Sequence, residues 1–89
     1  MGCDFSYRIN GEKEDYTLND TSRHNHFLSD IVTDDTRFTY NELYEEINNV
    51  LEKLRVADED RSDIAEALRV LISVYSEMGE DDFVLMDYC

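Results

Sequence analysis

The residue types that could do chemistry collect at three places in the chain. The first is His24-Asn25-His26, with Asp20, Asp30, Asp34 and Asp35 nearby. An extended His-x-His can chelate a metal, but the third and fourth ligands would have to come from loop carboxylates at no particular spacing. Neither Cys3 nor Cys89 has the Cys-x-x-Cys spacing of a zinc or redox site. The histidines therefore read as polar loop residues, and no metal or cofactor is expected. The second place is Asp58-Glu59-Asp60-Arg61-Ser62-Asp63, which has the acidity of a calcium loop. Counted from Asp58, it lacks the glycine at the sixth position and has Arg69 where the twelfth should be glutamate. Its plainer role is to place acids at a helix N-terminus, where they offset the macrodipole. The third is Met1-Gly2-Cys3-Asp4-Phe5-Ser6, which fits an N-myristoylation pattern with a neighbouring cysteine for palmitate. The same residues alternate as a strand, and an anionic leaflet would repel so acidic a body. A strand that begins at once is the expected reading.

Catalysis needs a nucleophile with its base, or paired carboxylates held in a cleft. With 22 acidic residues some pair always lies close, so proximity carries no information. No glycine loop is shaped to cradle phosphate, and an enzyme is not expected. What stands out is charge: 22 acidic against 8 basic residues give a net −14. Solubility of a small domain needs a magnitude of only about 2–8. Such a surface repels nucleic acid and anionic membranes, so neither is expected as a direct ligand. It suits a basic surface of another protein. Asp58, Glu59, Asp60 and Asp63 are the leading candidate contacts, with Glu45, Glu46 and Glu52 next.

The elements that must position these acids are legible in outline. Thr39-Tyr40-Asn41-Glu42 is a capping box that opens a helix. Leu43, Ile47, Val50, Leu51 and Leu54 follow at the spacing of one apolar stripe, widened by Tyr44. A second helix starts near Asp60 to Ser62 and carries Ile64, Leu68, Leu71, Ile72, Tyr75 and Met78, with Gly79 placed as a left-handed C′ residue. The short acidic connector makes the two helices antiparallel neighbours. At the N-terminus, Cys3, Phe5, Tyr7 and Ile9 alternate with polar residues up to Asn10-Gly11, a type I′ hairpin signal. A two-residue loop there would pair Phe5 with Tyr16 and Cys3 with Leu18. Asn19 to Ser22 and Thr33 to Thr36 read as turns, His26 to Val32 as a short helix, and Phe38 as a staple before the cap. Phe83 to Met86 suits a strand that joins the hairpin. The expected fold is α+β: an N-terminal β-hairpin and a C-terminal strand form a small antiparallel sheet packed on an antiparallel helical pair. Residues 1–89 make a single domain, large enough for one core without staples. With no transmembrane span and no signal-peptide run, a cytoplasmic location and free thiols are expected.

In size, charge and mixed α+β make-up the chain resembles the small acidic proteins that phages and mobile elements make against host nucleases, including anti-CRISPR and other DNA-mimic inhibitors. It is also similar in size and charge to immunity proteins that neutralise nuclease toxins. The resemblance is one of general character over no aligned stretch, so no family residue carries over. It implies a non-enzymatic inhibitor whose partner is the basic surface of a nucleic-acid-binding protein, a nuclease or CRISPR effector, acting in the host cytoplasm if phage-encoded. The alternative is a small structural or adaptor domain that binds through an apolar-aromatic patch around Tyr40, Tyr44 and Tyr88, its acidity serving solubility.

Overall fold

Thr39 closes a strand and opens a helix in the same residue. In this computed structural model, which describes residues 5–11, 16–18, 25–33 and 36–88, the elements run β1 (Phe5–Ile9), β2 (Tyr16–Leu18), α1 (His26–Ile31), β3 (Thr36–Thr39), α2 (Tyr40–Val56), α3 (Arg61–Ser76) and β4 (Phe83–Tyr88). The four strands form one antiparallel sheet in the order β2-β1-β4-β3. The expected α+β architecture is present, with β4 at the centre and one strand more than the sequence suggested. That strand, β3, contains Phe38, which lies opposite Val84 in register. Four residues with a single apolar side chain leave no legible period, and β3 exists because β4 supplies its hydrogen-bond partners.

The hairpin register is two residues away from the expected one: Phe5 pairs with Leu18 and Tyr7 with Tyr16. Asn10 and Gly11 do adopt positive φ, 58° and 71°. Asn10, however, is tied to the start of β4. Its N–H donates to the Phe83 carbonyl at 2.8 Å, its side-chain oxygen accepts from the Phe83 N–H at 3.0 Å, and its amide donates to Asp82 at 2.8 Å. A shift of two leaves the facing of β1 unchanged, and Phe5 and Tyr7 are buried as the alternation predicts. Pairings through Cys3, Glu12 and Glu14, and the turns at 19–22 and 34–35, lie outside the described residues.

One core joins the sheet's inner face to the helices. Phe5, Tyr7, Val84 and Met86 from the sheet meet Leu28 and Val32, Leu43 and Val50 of α2, and Ala67, Val70, Leu71 and Val74 of α3. The capping box forms as the sequence suggested: Thr39 Oγ1 accepts from the Glu42 N–H at 3.2 Å, and Glu42 accepts from the Thr39 N–H at 2.9 Å. The C-terminus of α3 differs. Gly79 stays out of the left-handed region, and the helix ends at Ser76 with the Glu77 N–H donating to the Val74 carbonyl. The following turn is closed instead by Asp82, whose carboxylate accepts from the Gly79 N–H at 2.7 Å. The Tyr7 hydroxyl donates to the Glu77 carboxylate, linking β1 to this end of the helix.

Candidate functional site

The connector between α2 and α3 holds the highest local density of the candidate acids. Its geometry is set by Arg61, whose Nη1 reaches back to donate to the carbonyls of Leu54 at 3.0 Å and Ala57 at 2.9 Å. Leu54 lies in the last turn of α2 and Ala57 is its C-cap, where carbonyls have no intrahelical partner. Asp60 turns the chain in the left-handed conformation, φ 59°, with no side-chain cap bond, while its carbonyl accepts from the Ile64 N–H at 3.0 Å. Asp58, Glu59 and Asp60 are consequently all exposed on a short turn fixed at both ends.

Asp63 is not part of that surface. It sits in the first turn of α3 with 8% of its area exposed, and its carbonyl accepts from the Asn25 side-chain amide at 2.9 Å. Spacing alone made it a fourth surface acid; the docking of α1 on α3 covers it. The side chains that do converge here form a cleft of about 230 Å³ lined by His26, Phe27 and Asp30 of α1 and by Glu59, Asp60, Asp63 and Ile64. Among the described residues no three His, Cys, Asp or Glu side chains are placed to hold a metal ion. His24, half of the metal-like pair, lies outside the described residues.

The acids of α2 form a second, separate group. Glu45 and Glu52 are exposed and seven residues apart, which puts them two turns along one helix face. Glu46 is half-buried and lines a groove of about 440 Å³ with Asn49, Glu52, Lys53 and Val56. Arg55 pairs with Glu52 at 3.3 Å, and Lys53 lies over the Phe27 ring at 5.4 Å. This row is thus interrupted by two cations. Two further basic residues lie on the sheet: Arg8 and Arg37 flank Leu85 in register, with Arg37 over the Phe83 ring at 4.5 Å.

Asn25 is the residue that sequence reasoning missed. Read as the middle of a His-x-His, it is buried and caps α1, accepting from the Leu28 N–H at 2.9 Å. Its amide also donates to Glu66 at 2.8 Å, and its own N–H donates to the Tyr88 hydroxyl at 2.7 Å. An asparagine immediately before an apolar run is an N-cap signal that was available. The same bond removes Tyr88 from the expected aromatic patch, since it is buried. The patch is instead Tyr40 stacked on Tyr75 at 4.5 Å, with Tyr44 6.0 Å from Tyr75. A hydrogen bond with Tyr40, reinforced by burial and nearby Tyr44 and Glu80, pushes the Tyr75 pKa up to about 12. No protein-family model, curated protein or solved structure matches this chain. No helix among the described residues is long and apolar enough to cross a membrane.

Proposed function

We propose that this chain is a non-enzymatic inhibitor, acting in the cytoplasm, that binds the basic surface of a nuclease or CRISPR effector and blocks its access to DNA or RNA. The observation that carries the proposal is the connector. Three consecutive carboxylates point into solvent from a fixed turn, while Arg61, the cation beside them, is engaged with the α2 carbonyls. Pre-organised charge of this kind speeds encounter with a basic partner and makes binding salt-sensitive.

The α2 spacing bears on the kind of mimicry. Glu45 and Glu52 are separated by about 10 Å of helix rise, whereas phosphates recur about every 3.4 Å along one DNA strand. The pair therefore spans the rise of about three phosphates with one carboxylate at each end, and net charge is what this reading rests on. The test uses a partner captured by the tagged chain, with its DNA binding followed by gel shift. Wild type should displace the DNA with a steep salt dependence. The triple variant Asp58→Lys, Glu59→Lys, Asp60→Lys should need about tenfold more protein or greater. Displacement by that variant with unchanged affinity and salt slope would sink the proposal.

A further inference from the structure

Leu51 and Ile72 belong by spacing to the apolar stripes of their helices, yet the fold leaves 44% and 47% of them exposed, and Tyr44 53%. The reason is rotational. Tyr44, Leu51 and Ile72 each follow a buried residue (Leu43, Val50 and Leu71 respectively), and one step along a helix turns about 100° away from the core. Tyr44 and Leu51, two turns apart, lie on one line of α2, and Leu68, Ile72 and Tyr75 lie on one line of α3. The helices are antiparallel and Tyr44 meets Tyr75 at one end. The register therefore sets Leu51 towards Leu68 at the other, with Ile72 between. Together they make an apolar strip along the outer rim of the α2–α3 interface.

We propose that this strip seats a positively charged amphipathic helix from a partner protein, laid along the rim of the α2–α3 interface. Tyr44 to Leu51 spans about 10 Å, the distance between residues i and i+7 of a third helix. Glu45 stands next to Tyr44 in sequence and is exposed, Glu52 stands next to Leu51 with Arg55 paired to it at 3.3 Å, and Glu80 is exposed beyond the end of α3 that carries Tyr75. Within a body of net −14 they favour lysines and arginines on the flanks of the incoming helix. A second copy of this chain is a poor occupant. It brings −14 against −14. This surface differs from the connector acids, and the inference holds whether or not those acids displace nucleic acid.

The experiment uses the full chain and a synthetic helical peptide with leucines at i, i+4 and i+7 and lysines elsewhere. Two controls accompany it: a scrambled peptide of the same composition, and one with glutamate in place of lysine. Calorimetry and amide NMR titration at physiological salt should give saturable binding, with shifts concentrated at Tyr44, Leu51, Leu68, Ile72 and Tyr75. Leu51→Ser and Ile72→Ser, whose native folding circular dichroism checks, should each weaken binding by about tenfold or more. The scrambled peptide should bind as weakly as those variants do, and the glutamate peptide should not bind. The proposal is overturned by absence of saturable binding, by equal binding of the scrambled peptide, or by shifts confined to Asp58, Glu59 and Asp60. Self-association that Leu51→Ser abolishes would also overturn it, because the strip would then be a dimer surface.

Discussion

The side-chain amide of Asn25 donates to the carboxylate of Glu66 at 2.8 Å, joining the cap of α1 to the middle of α3. The same side chain serves the Leu28 N–H and the Asp63 carbonyl, so a single buried residue holds the short helix on the long one. Asn25→Ala removes the cap and leaves buried polar groups unpaired, and should destabilise by about 3 kcal/mol. Asn25→Asp keeps the acceptor for Leu28 but sets a carboxylate against Glu66 with no donor between them. Its loss should be larger at pH 7 than at pH 4, where carboxylates begin to protonate. Urea unfolding of both variants at the two pH values measures this.

Asp60 is held at φ 59°, a conformation in which a side chain costs about 1–2 kcal/mol and glycine little. No side-chain cap bond compensates it. Asp60→Gly should therefore stabilise the chain by about 0.5–1 kcal/mol, part of the relieved strain being offset by added freedom in the unfolded state. Thermal unfolding reads the gain. Because the variant stays folded, its affinity for the captured partner isolates the contribution of that one carboxylate.

Acid should act through the turn that closes β4. The Asn10 side-chain amide, and then the Gly79 N–H, hold the Asp82 carboxyl below its ordinary value of 3.8. The Thr39 backbone N–H, and then its side chain, lower Glu42 below 4.5 in the same way. A depressed folded-state pKa contributes stability that is present above the ordinary value and lost as pH falls through the folded one. The advantage of wild type over Asp82→Asn should be constant from neutral pH down to about 5 and shrink below 3.8. A denaturant series across that range checks it; a gap that widens as pH falls would contradict the assignment.

What was legible from residue order follows from distance along the chain. The capping box at Thr39 and Glu42, the two long helices and the positive φ at Asn10-Gly11 involve partners within a few residues, and all formed as read. The β1–β2 pairing differs by two from the one a two-residue loop predicts, while Asn10, just past the end of β1, binds Asp82 and Phe83 more than 70 positions away. Gly79 looked like a helix stop by composition, but Asp82 supplied the turn chemistry. The four-residue β3 had no period to detect. Asp63 and Tyr88 read as surface residues by spacing but are buried, and both bond Asn25, the α1 cap that stands between two histidines in the sequence.

The sequence by itself determined the acidic surface, the helical pair with its sharp acidic connector, and a sheet built from both chain ends. These depend on composition, on helical spacing and on caps satisfied within one turn. Only the tertiary structure decided how wide an apolar stripe the core would cover, and so left Leu51 and Ile72 outside with Tyr44. Only it turned Arg61 onto the carbonyls of α2, leaving Asp58, Glu59 and Asp60 facing solvent. Periodicity specifies the direction in which a helix buries itself; the neighbours it meets set how far around the helix that burial reaches, and which charges remain exposed.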